Sequence, residues 1–180
     1  MKTFFYLLSN VGSFLFVTLV LAASQTSLWM QLFGFFPPPN SWVPTLMFFV
    51  IYRNAKEGIA LTLFTSLAVS TMTVSPTFLF LVTSLSVYLI ARYAKHRIFW
   101  TGPTYFMGLC AFSSAIFPIL YLVFSLIWEK SPVHDFAFFE SIVRSLLTAL
   151  LALPVYYLFL FIDTKTNKKL PTDSGNLLYE

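Results

Sequence analysis

Apolar residues run along this chain in long blocks, broken by short polar or proline-bearing segments rather than by the strict alternation of a half-buried strand. No residue is charged from Thr3 to Tyr52, from Gly58 to Ala91, or from Ile98 to Trp128. A helix rises about 1.5 Å per residue and a bilayer's hydrocarbon core is about 30 Å thick, so about 20 apolar residues make one crossing. The blocks predict six helical spans, at about 4–23, 41–52, 58–74, 76–91, 103–127 and 142–162. The expected fold is all-α, a polytopic six-helix transmembrane bundle forming one domain over 1–162. A polar cytoplasmic tail is expected over 163–180.

The breaks have their own chemistry. Pro37-Pro38-Pro39 cannot continue a helix and marks a loop, and the aromatic stretch 28–36 before it is expected at the membrane interface. Ser41 is placed to cap the second helix. That helix is short for a crossing and requires shielding by neighbours or a locally thinned bilayer. Ser75-Pro76 divides one uncharged block into two helices joined by a tight turn. Pro118 and Pro154 fall inside the last two spans, where kinks are expected and neighbours can satisfy the freed carbonyls. Lys2, an apolar core and Ala22-Ala23-Ser24 resemble a secretory leader, but the core is longer than a leader's, so a retained helix is expected.

Composition sharpens this picture. Of 180 residues, 58% are apolar, 19% aromatic and only 10% charged, with 22 phenylalanines. Mean hydropathy is +0.78. Soluble domains are about 25% charged, so a soluble enzyme, a disordered chain and a disulfide scaffold are excluded. The lone Cys110 permits no intrachain disulfide, and His96 and His134 are the only imidazoles, so no metal or cofactor is expected. The net charge of +4 arises from basic residues between apolar blocks, which points to orientation in a membrane rather than to nucleic acid. With six spans and an inside start, the cytoplasmic segments hold Lys2, Arg53, Lys56, Arg92, Lys95, Arg97, Lys165, Lys168 and Lys169, nine of the eleven basic residues. The outer segments hold Lys130 and, at a helix end, Arg144, beside an acidic loop bearing Glu129, Asp135 and Glu140. Both termini are therefore expected in the cytoplasm.

Candidate chemistry is sparse. No P-loop, no His-Glu-x-x-His and no carboxylate pair lies inside a span, so catalysis is not expected. Candidates for partner or ligand contact are Glu140, Arg144 and Asp135. Glu140 and Arg144 share a helix face, and the plainer reading is a snorkelling arginine paired with Glu140. Thr62, Ser66, Ser70 and Thr73 form a hydroxyl stripe that either lines a small cavity or, as the spacing more simply implies, lets helices pack closely and bonds to backbone carbonyls. Gly102, Gly108 and Ala111 are read the same way. Arg92, Lys95 and Arg97 form a basic cytoplasmic loop closed by Phe99-Trp100, suited to anionic lipid or an acidic partner.

The order of features resembles the MreD family of bacterial rod-shape-determining membrane proteins over about 130 residues, from Asn40 to Lys169. Pro39-Asn40-Ser41-Trp42 leads into a short second helix ending at Tyr52-Arg53, and Gly58 opens the third. Val87-Tyr88-Leu89 closes the fourth before basic residues and Phe99-Trp100; an acidic outer loop and a Pro154-bearing last helix with a basic tail complete the order. The chain departs from the family late in the third helix, where Leu67-Ala68-Val69-Ser70-Thr71-Met72 lacks the Asp and the glycine turn of many members. The resemblance implies a non-catalytic scaffold of the elongation machinery in the bacterial cytoplasmic membrane. Such a scaffold binds a periplasmic MreC-like protein and positions cell-wall synthases along MreB filaments. The family's fold is similar to substrate-binding subunits of vitamin transporters, which leaves a small-molecule-binding subunit as the alternative.

Overall fold

The computed structural model describes residues 2–97, 102–129 and 138–166. These form seven α-helices: α1 (Lys2–Thr26), α2 (Leu28–Leu32), α3 (Val43–Tyr52), α4 (Ala55–Ser70), α5 (Thr77–Arg97), α6 (Pro103–Trp128) and α7 (Phe138–Lys165). Three are long and apolar enough to cross a membrane, over Thr77–Lys95, Pro103–Trp128 and Phe138–Lys165. Shorter apolar helical stretches cover Ser9–Gln25 and Val43–Tyr52.

Helix limits follow local chemistry. Proline stands in the first turn of α3 and of α6, where its missing N–H costs nothing. Gly102 precedes α6 with φ at +116°, a left-handed conformation that side chains disfavour. Pro118 and Pro154 both lie within unbroken helices. Ser41 is not the cap of α3; that position is Trp42, without a side-chain cap bond. The Ser41 hydroxyl instead donates to the Leu21 carbonyl and to Gln25 Oε1, because α1 lies alongside.

The chain runs up and down. Asn10 near the start of α1 meets Asp163 near the end of α7. Phe78 at the start of α5 meets Trp128 at the end of α6, and Phe106 early in α6 meets Tyr156 late in α7. One end of the bundle therefore carries the C-terminus of α3 with Arg53, and the other carries the N-terminus of α7 with Arg144.

The core is built around α3. Every residue from Val43 to Val50 is buried, which no amphipathic surface helix would allow. Its 10 residues span about 15 Å, half the hydrocarbon thickness, and neighbours shield it: α4, α5, α6 and α7 all pack against it. Phe14 of α1 completes one aromatic cluster, with ring centroids 5.4 Å from Phe48, 5.6 Å from Phe49 and 4.8 Å from Phe159. Trp42, Phe80 and Phe117 form a second, with Trp42 5.0 and 4.8 Å from the other two rings. The outer faces carry exposed Phe16, Phe64, Leu89, Phe112, Leu150 and Phe161. Water-soluble monomers rarely leave so much apolar surface uncovered, whereas a bilayer covers it.

Three boundaries depart from the sequence pattern in ways that matter. The helix expected to end at 91 continues to Arg97, so Arg92, Lys95 and Arg97 lie on α5 rather than in a loop. The last helix begins at Phe138 and carries Glu140 and Arg144 within it. It also continues through Asp163 to Lys165, so the expected polar tail does not begin at 163. Asp135, Phe99-Trp100 and 167–180 lie outside the described residues.

Candidate functional site

The bundle's charged interior lies at the Arg53 end. Arg53 leaves the last turn of α3 and is 4% exposed; Asp163 on α7 is 0% exposed. The guanidinium grips the carboxylate with both terminal nitrogens, 3.0 Å to Oδ2 and 2.6 Å to Oδ1. Its Nη2 also donates to Asn10 Oδ1 at 3.2 Å, while Asn10 Nδ2 donates to Asp163 Oδ1 at 2.9 Å. Glu57 Oε1 lies 3.7 Å from Arg53 Nε, and the Phe14 and Phe48 rings face the cation at 5.3 and 5.8 Å. One triangle of side chains thus ties α1, α3 and α7. A bidentate, shared geometry of this kind is what a buried ion pair needs to offset its desolvation.

The same end closes over α3. Its last carbonyls lack intrahelical partners, and α5 supplies donors. Lys95 Nζ donates to the carbonyls of Val50 and Ile51 at 3.3 and 2.8 Å. Arg92 donates to the Arg53 carbonyl at 3.2 Å and to Tyr88 Oη at 3.1 Å. Cations are also favoured there by the helix dipole. Arg97 alone of the three is exposed, hydrogen-bonded to and stacked over Tyr93. The expected basic loop is therefore mostly a helix cap, with Arg97 at the surface.

At the opposite end, Glu140 and Arg144 meet the proline segment. Pro37-Pro38-Pro39 leads to Asn40, whose backbone N–H donates to Thr148 Oγ1 and whose side-chain amide donates to Ser114 Oγ, both at 2.9 Å. Gln25 on α1 accepts from the Ser41 N–H at 3.2 Å. These bonds pin the segment across α1, α6 and α7, with 34–38 facing the first turns of α7. Between them lies a groove of about 490 Å³ lined by Gly34–Pro38, Phe139, Glu140, Val143 and Arg144. The expected Glu140–Arg144 ion pair is absent: among the described residues Arg53 is the only cation in salt-bridge contact. Arg144 Nε is closed off from solvent and has no acceptor among the described residues.

The hydroxyl stripe divides. Ser70 and Thr73 bond to backbone carbonyls one turn back, whereas the buried Thr62 and Ser66 hydroxyls have no hydrogen-bond partner among the described residues. Gly58, one turn before Thr62, leaves room for the Tyr88 side chain of α5, which an added Cβ would collide with at Oη. Gly108 has open space around it and serves no close contact. Among the described residues no three His, Cys, Asp or Glu side chains gather into a possible metal site. Sequence reading missed Asn10 and Asp163; each is visible as a polar side chain within an apolar helix, but nothing in the sequence pairs either with Arg53. No family model, no curated protein and no solved structure matches the chain.

Proposed function

We propose that this chain is a non-catalytic membrane scaffold of the bacterial cell-elongation machinery, of the kind represented by the MreD family. In this reading it crosses the cytoplasmic membrane six times, with both termini in the cytoplasm. It binds an MreC-like periplasmic protein and so positions cell-wall synthases relative to MreB filaments. The observation that carries the reading is the use made of ionised groups inside the bundle. Arg53, Asp163 and Asn10 bond to one another and join three helices, an arrangement suited to fixing the shape of a scaffold. Charge distribution supports the orientation: among the described residues, Arg53, Lys56, Arg92, Lys95, Arg97 and Lys165 lie at one end with Glu57 and Asp163, whereas the other end holds Arg144 with Glu129 and Glu140.

Recognition then falls to helix faces and to the Arg144 end. Affinity capture in mild detergent is expected to bring down an MreC-like partner, and depletion is expected to round rod-shaped cells. Normal rods after clean depletion refute the assignment. The groove beside Arg144 favours one second reading, a small-molecule-binding subunit of a vitamin-type transporter. A vitamin-sized mass retained on the purified protein would select it.

A further inference from the structure

We propose that the groove between 34–38 and the start of α7 is a phospholipid headgroup site that prefers an ethanolamine headgroup. The inference requires that α7 cross a bilayer, not that the chain be a scaffold. Arg144 is half-buried among phenylalanine and proline, its Nε is closed off from water with no acceptor among the described residues, and it makes no ion pair there, so it is a cation suited to receive an anion. Guanidinium matches the paired oxygens of a phosphate diester in its fork geometry. Glu140, one turn away, lines the same groove and forms no ion pair with Arg144. A ligand carrying both signs fits the two groups, phosphate on Arg144 and ammonium on Glu140. A purely anionic headgroup meets the Glu140 carboxylate as repulsion.

The surroundings select a lipid as the source of that phosphate. The N-terminus of a bilayer-crossing helix lies at the membrane–water interface. Phe35 is 101% exposed and Phe139 77%, and exposed Leu28, Leu32 and Phe33 continue the apolar surface along α2. Trp29, its ring packed against Phe33, donates its indole N–H to the Phe36 carbonyl and so holds this surface against the groove rim. Acyl chains cover such a surface while the headgroup occupies the charged groove. A soluble acidic peptide would leave these phenylalanines uncovered.

The test reconstitutes the full chain in nanodiscs of equal phosphatidylethanolamine and phosphatidylglycerol, then measures co-released lipid by native mass spectrometry. Wild type is expected to retain phosphatidylethanolamine preferentially. Arg144→Gln should lower retention about tenfold, the loss of one charge-assisted contact, and Arg144→Lys should keep much of it. Glu140→Gln should retain phospholipid but lose the headgroup preference. Lys56→Gln, at the other end, should behave as wild type. Undiminished retention by Arg144→Gln, or equal retention of the two lipids by wild type, overturns the proposal. Photo-crosslinking of wild type with a headgroup-labelled phosphatidylethanolamine needs no variant to fold: crosslinks within 34–38 or 139–144 support the site. Crosslinks confined elsewhere, or a polypeptide trapped by a photoreactive residue at Phe36, overturn it.

Discussion

Arg53 is the residue whose environment most constrains the molecule. Its guanidinium has moved out of water into contact with Asp163, Asn10 and two phenylalanine rings, so each polar member depends on the others. Removing one partner of a buried pair leaves an uncompensated charge and costs about 3–5 kcal/mol, whereas replacing both by apolar groups is often close to neutral. Arg53→Met and Asp163→Leu are each expected to lower the unfolding midpoint in detergent sharply. The double variant should be far more stable than the sum of the two losses implies. Strict additivity would mean that the two side chains act independently. Neither role was legible in the sequence. Asp163 stands where an apolar block meets a polar tail, and its partner is 110 positions away. Hydropathy alone assigns such a charge to solvent, and Arg53 to the positive-inside count.

At the scale of elements, the α4–α5 hairpin sets how tightly the bundle closes. Gly58 faces Tyr88 so closely that a methyl group has no room, and Tyr88 in turn receives Arg92, which reaches the end of α3. Gly58→Ala is expected to cost about 1–3 kcal/mol as overpacking, and Tyr88→Phe, which deletes the colliding oxygen, should recover part of it. A thermal melt of the three variants decides this, and an unaffected Gly58→Ala would place the helices farther apart. The glycine at the head of this helix was visible in the sequence, and so were the helices themselves, because apolar blocks and prolines determine both. Their ends were less so. Arg92 and Lys95 lie three apart on one helix face, but placing them against α3 requires knowing that α3 ends within reach of α5. The groove was half legible: Glu140 and Arg144 are conspicuous charges, while its opposite wall depends on Asn40 reaching Thr148 and Ser114.

For the whole molecule, the question is which ends share a compartment. The antiparallel contacts place the 71–76 turn, the end of α6 and the start of α7 at one end of the bundle, and Lys56 at the other. Although α3 is only about 15 Å long, it carries the chain from the Arg144 end towards Arg53. The single native thiol, Cys110, is completely buried, so an introduced cysteine reports without removing it. A membrane-impermeant maleimide applied to intact spheroplasts is expected to label Thr73→Cys and Glu129→Cys. Under the proposed orientation, which follows the positive-inside asymmetry, Lys56→Cys should react only after permeabilisation. Labelling of all three from outside would reject the membrane-crossing bundle. Opposite behaviour of positions 73 and 129 would break the shared end on which both the groove and the proposed orientation rest.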